Sequence, residues 1–260
     1  MFRLKCINRF SILALLLWGG LAQAALHDRG NGLIYDDVLD VTWLQDANLA
    51  ATETFGVSGI NPDGSFVGCD AVGDWIRAMN AANYKGFSDW QFPGAEPVNG
   101  VDWNEQFSYD GSTDAAFNIS APGSAYPGTH AHALAHLFYQ SLGNQGWYDV
   151  NGNRNAQGCP DDANGCLRNT GPFINLLPAS YIHSRSTCIT ILGNPFGSYF
   201  SFYYGNAESW GGVSWRVLPY RPGDVPGARS VPMLSPWPLA ALGGLLLMLG
   251  GYRLRRKASR

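Results

Sequence analysis

The chain has 260 residues, with 17 Lys and Arg against 20 Asp and Glu, a formal net charge of −3. Three basic residues precede residue 25 and six follow residue 228, while every acid lies between, so the middle carries 8 basic and 20 acidic side chains, net −12. That field repels phosphate and excludes nucleic acid as a partner, and 46% hydrophobic residues with 32 Gly and 15 Pro exclude both disorder and a long helical bundle.

In chain order, residues 1–24 read as a secretory signal peptide. Arg3, Lys5 and Arg9 form a basic start, Ile12–Leu21 an apolar run, and Ala22 and Ala24 a small-residue cleavage site. Residues 25–228 then form one domain of ordinary size. Its opening predicts two short strands, Leu33–Tyr35 and Val41–Leu44, around an acidic turn. Val72, Trp75, Ile76 and Met79 follow the 3.6-residue period, predicting a helix over 71–83 with Asp70 as its N-cap. A short strand is expected at Trp90–Phe92 and an aperiodic loop over 94–128. Leu134, Leu137, Phe138 and Leu142 predict a second helix over 131–142, ended by Gly143, and a further loop covers 143–172. Strand-like runs follow at Cys188–Leu192, Tyr199–Tyr204 and Val213–Tyr220. Two helices among short strands and long loops imply an α+β domain. Residues 229–260 read as a Pro-rich break, an apolar helix of about 24 Å over Trp237–Tyr252 and a basic end, suited to anchor the chain with the domain outside.

An exported domain keeps four cysteines, Cys69, Cys159, Cys166 and Cys188, an even number that in an oxidising compartment admits three pairings. Cys159 and Cys166 bracket a turn-rich loop that closes easily, which leaves Cys69 to pair with Cys188.

The blocks DRGNGLIYDDVLDVTWLQDAN, GFSDWQFP, LAHLFYQSLGN, LRNTGPFINL and RPGDV, spread over Leu26–Val225, together resemble the Lcl C-terminal domain family, named for a collagen-like adhesin. The resemblance implies a C-type-lectin-like fold, distantly related to formylglycine-generating enzymes, and an exported non-enzymatic domain that binds a glycan or a protein at the cell surface. The Val231-Pro232-Met233-Leu234-Ser235-Pro236-Trp237 opening of the tail, with its final Arg cluster, is similar to the PEP-CTERM and IPTL-CTERM sorting signals of Gram-negative bacteria. It implies a membrane protease of the exosortase kind as a partner. The sequence departs from the family at Trp90-Gln91-Phe92-Pro93-Gly94, Tyr181-Ile182-His183-Ser184 and Ser214-Trp215-Arg216-Val217-Leu218, where ligand contacts carried over from the family are in doubt. The adhesin's association with sulfated glycosaminoglycans also fits poorly with a net charge of −12, so a neutral glycan or a surface protein is the expected partner.

Tyr203, Tyr204 and Trp210, interleaved with Asn206 and Glu208, supply the ring faces and amide and carboxylate groups that suit sugar recognition. His130, His132 and His136 form H-x-H-x-x-x-H, where i, i+4 spacing on a helix would let two imidazoles share a divalent metal; without one, no cofactor is implied. DVNGNRN at 149–155, and Glu96–Asn99 with Trp103–Glu105, fall short of calcium-loop patterns and read as polar loops. No G-x-S-x-G elbow or free Cys–His pair indicates catalysis. A distant enzyme of the formylglycine-generating type and a purely structural envelope protein are the alternative readings.

Overall fold

The computed structural model describes residues 26–183, 189–191, 194–211 and 215–225, and of residues 69, 189–191, 194–197 and 209–211 the backbone alone. The expected signal peptide, the sorting tail, Cys188 and the Cys69–Cys188 pairing lie outside the described residues. Among those residues no helix is long and apolar enough to cross a membrane.

The architecture is α+β. Strands β1 (Leu26–Gly30), β2 (Leu33–Asp36), β3 (Val41–Leu44) and β10 (Tyr220–Pro222) form an antiparallel sheet in the order β1-β2-β3-β10. The last strand therefore returns to the first hairpin, with Tyr220 paired to Trp43, and closes the domain. In a second sheet, β8 (Asn194–Ser201) pairs with β6 (Ser180–Ile182), β7 (Ile189–Ile191) and β9 (Asn206–Gly211), all antiparallel. Two-residue strands β4 (Phe107–Ser108) and β5 (Ala115–Ala116) pair in parallel.

Period-two alternation explains how both sheets are buried on two faces. Ile34, Trp43, Tyr181 and Phe200 belong to one apolar cluster, whereas their neighbours Leu33, Leu44, Ile182 and Tyr199 belong to another. Helix α1 (Cys69–Ala81) covers the second cluster with the predicted stripe, Val72, Trp75, Ile76 and Met79. The first cluster is covered by α2 (Ala133–His136), which continues as a π-helical turn over Leu137–Ser141 and stops before Gly143 at φ +67°.

Several expectations are corrected. Asp70 is not the cap of α1: Gly68 holds that position without a side-chain bond, and Asp70 lies in the first turn, where its charge favours the helix dipole. Trp90–Phe92 is no strand. Gln91 makes one bridge to Tyr220, while Trp90 is buried and bonded through its backbone to the Asn80 side chain at both N–H and C=O, 2.8 Å each. Of the expected Val213–Tyr220 strand, the described residues 215–219 make only isolated bridges, at Trp215 and Arg216, before β10. Tyr199–Tyr204 is half strand, because β8 ends at Ser201 and residues 202–205 turn.

Candidate functional site

The turn from β8 to β9 sets the site. Gly205, at φ +73°, lets β9 return, and a Cβ there would lie 2.9 Å from the Gly146 Cα and the Tyr139 hydroxyl. Tyr139 is fully buried in the π-helical turn; its hydroxyl donates to the Gly205 carbonyl and accepts from the Asn118 N–H at 3.0 Å. Burial pushes its pKa far above the usual phenol range, so it stays a protonated donor. The turn is thereby fixed to the core, and Tyr203 and Tyr204 project from a rigid base.

Around them the structure gathers residues far apart in sequence. Trp147 donates its N–H to the Tyr204 carbonyl at 2.8 Å and lays its ring along Tyr203, with centroids 6.0 Å apart and planes inclined by 27°. Tyr204 stands edge-on to both rings, at 5.3 Å from Trp147 and 4.7 Å from Tyr203, and is 45% exposed. The Arg154 guanidinium sits 3.5 Å above the Trp147 ring, within cation–π range, and bonds to the Trp147 carbonyl. The result is an aromatic shelf with the guanidinium over one Trp147 face.

The shelf is supported from below by the Cys159–Cys166 loop, and that disulfide is formed. Cys166 N–H donates to the Tyr203 carbonyl at 2.8 Å, Cys159 N–H to the Asn155 carbonyl at 3.0 Å, and the Tyr203 hydroxyl donates to the Asp162 carbonyl at 3.1 Å. Gly165, at φ +53°, admits the Tyr203 backbone at a distance a Cβ would bring to 2.5 Å. An Arg168–Asp162 ion pair at 2.7 Å spans the loop, and the guanidinium bond holds the Asp162 carboxyl below the usual range.

Beside the shelf, a recess of about 250 Å³ is lined by Asn118, Gln145, Tyr148 and Asn155 among others. Asn155 donates to Gln145 Oε1 at 2.9 Å, which leaves the Gln145 amide N–H groups without a protein acceptor among the described residues. Tyr148 joins Tyr109 and Phe117, with centroids 5.0 and 5.1 Å away, and Phe107 completes the group; Phe107 and Tyr109 are exposed. Trp147, Tyr148 and Arg154 were not singled out from the sequence. Their signal was the adjacent pair Trp147-Tyr148 in the amide- and glycine-rich segment from Asn144 to Asn155. No family model, curated protein or solved structure matches the chain.

Of the residues expected to bind ligand, Tyr203 and Tyr204 meet on the shelf, and the Trp210 side chain lies outside the described residues. Asn206 is buried, 1% exposed, and its amide donates to Glu208. Glu208 lies opposite Tyr199 across the β8–β9 ladder and accepts its hydroxyl at 2.9 Å. Burial, then the charge of Glu208, raises the Tyr199 pKa well above its ordinary value.

The three histidines do not converge, because α2 begins one residue too late. His132 is the residue before the helix, in extended conformation at φ −119°, so it shares no helical face with His136. Its ring is buried near Asp114 (Nε2 to Oδ1 3.4 Å) and His183 (centroids 5.5 Å). His136 is buried near the Ser120 hydroxyl and the Thr129 carbonyl, 3.3 Å each, with exposed His130 across at 4.8 Å between centroids. Burial lowers the pKa of His136 and, more strongly, that of His183. Among the described residues no three His, Cys, Asp or Glu side chains are arranged to hold a metal ion.

The polar loops are satisfied internally. Asp149 Oδ1 accepts the N–H groups of Asn151 and Asn153 at 2.9 and 2.8 Å. Asn99 and Asn104 likewise accept N–H groups two residues on. Buried Asp114 accepts Val98 N–H at 2.8 Å and Asn104 N–H at 2.7 Å and so organises the 96–104 loop. Burial raises its pKa, but the His132 and backbone bonds outweigh it and hold the carboxyl below its ordinary value.

Proposed function

We propose that this chain is an exported, surface-associated domain of the Lcl C-terminal type, C-type-lectin-like in fold, that binds a neutral glycan without transforming it. In this reading residues 1–24 direct export, and the tail at 229–260 holds the domain at the membrane until a sorting protease of the exosortase kind acts on it. The observation that carries the glycan reading is the Trp147–Tyr203–Tyr204 cluster: the Tyr204 ring, 45% exposed, stands on the half-buried Trp147 and Tyr203, beside Arg154 and a Gln145 amide with no acceptor among the described residues. Sugars present C–H faces to aromatic rings and hydroxyls to amides, and a pre-formed surface binds them without an ordering cost. A glycan array probed with the full-length chain and with Tyr204→Ala tests it. Binding to unsulfated glycans that is lost in the variant is expected; equal signals from the two proteins would overturn the assignment.

The enzyme alternative needs a reactive thiol. Cys159 and Cys166 are bonded to each other, which leaves Cys69 and Cys188 to be titrated. Two free thiols in the unreduced protein would favour that alternative.

A further inference from the structure

A larger cleft, of about 690 Å³, lies between the segment Gly94–Gly100 and the segment Gly128–Ala131, and it involves none of the shelf residues. The two segments are tied by Glu96 N–H to the Ala131 carbonyl at 2.7 Å and by Ala133 N–H to the Gly94 carbonyl at 2.9 Å. Gly94, Gly100 and Gly128 line it without side chains, which keeps it open, and its volume is in the range of small-molecule sites. The buried Val41 and Ala133 and half-buried Leu39 give it an apolar lining, and Tyr220, steadied edge-on by Trp43 at 5.2 Å, adds a ring and a hydroxyl.

Its fixed charge is negative. Glu96 is exposed, is the sole carboxylate lining the cleft, and has no ion-pair partner among the described residues; no Lys or Arg lines the cleft, and exposed His130 is the one imidazole there. Burial, and then the charge of Glu96, pushes the Tyr220 pKa up against a Gly94 backbone bond, so the carboxylate's field reaches the hydroxyl and leaves it a donor. The net charge of −12 over residues 25–228 adds a long-range field of the same sign.

We propose that this cleft binds a small organic ammonium ligand, with the cation beside Glu96 and the apolar body against Leu39, Val41 and the Tyr220 ring. The ring can also receive the cation on its face. The site is independent of the glycan shelf, and neither reading rests on the other.

The test is an NMR titration of the full-length chain with three probes of one shape: benzylamine, benzyl alcohol and benzoate. Benzylamine should bind at least about tenfold more tightly than the alcohol, which follows from one close charge pair at a partly solvated site, and benzoate should be weakest. Glu96→Gln, at an exposed position that leaves the fold intact, should bring benzylamine down to the level of the alcohol. Asp74→Asn on α1 should change nothing. Equal binding of amine and alcohol, no binding of any probe, or an equal loss in Glu96→Gln and Asp74→Asn would each overturn the proposal; the last would show diffuse attraction to an acidic surface.

Discussion

The half of the domain around α1 and the segment 143–172 are held together by different means. Around α1, order comes from apolar repetition. Val72, Trp75, Ile76 and Met79 pack against Leu33, Leu44, Trp90 and Trp215, and the cluster is mostly buried. Residues 143–172 have no such stripe. They are fixed by side chains that replace secondary structure. Buried Asn144 accepts the N–H groups of Arg168 and Asn169 and donates to the Asn169 carbonyl, Asn155 joins Gln145 to Gly146, and one disulfide closes the loop. The first region is held by core burial, and the second adds a presented surface, because an aromatic kept at the surface contributes little to the core and needs support from its own loop.

That difference predicts unequal responses. The largest is expected for Trp75→Ala, which empties a fully buried site and removes the indole donor to the Glu53 carbonyl at 2.8 Å. It should cost about 3–5 kcal/mol in denaturant unfolding and bring down both regions together. Replacing Cys159 and Cys166 by Ser should cost about 2.5 kcal/mol, the loop-closure value for so short a ring. Hydrogen exchange should then accelerate at Cys159, Cys166 and Leu167 while α1 keeps its protection; uniform acceleration would show that the two regions unfold as one.

A smaller effect concerns acid. Burial, with a minor part from His132, sets the folded pKa of His183 well below 6.5, so the folded state refuses a proton that the unfolded chain accepts. Stability from this group is intact above pH 6.5 and falls as pH drops below it. Lowering pH from 7.5 to 5.5 should therefore destabilise the protein, and His183→Leu should reduce that slope to the smaller part that buried His136 contributes, whatever it does to stability at pH 7.5. Smallest is Tyr204→Ala, expected to alter stability by less than about 0.5 kcal/mol, since the ring is 45% exposed.

The same difference separates what was legible in the sequence from what was not. Period 3.6 located α1 to within two residues and α2 with its π-helical extension, and alternation found β2 and β3. Turn chemistry found the Cys159–Cys166 bond. The partner ring of Tyr203 could not be read, because Trp147, with Arg154 over its face, reaches it through a loop whose path is set by Asn and Asp side chains rather than by a period. The histidine spacing misled for a similar reason: i, i+4 is a statement about a helix, and His132 precedes it. Alternation along β9 also hid the role of Asn206 and Glu208, which bond to each other while Glu208 accepts the Tyr199 hydroxyl.

The central claim is that the shelf around Tyr204 recognises a neutral glycan by stacking. Its most direct test is the dissociation constant of the strongest glycan from the array, measured by calorimetry with the full-length chain at about 20 and 300 mM sodium chloride, a range over which charge-driven binding weakens steeply. The account predicts a constant unchanged within about twofold between the two salts and no measurable binding by Tyr204→Ala. Binding to heparin that weakens steeply with salt and survives Tyr204→Ala would contradict it.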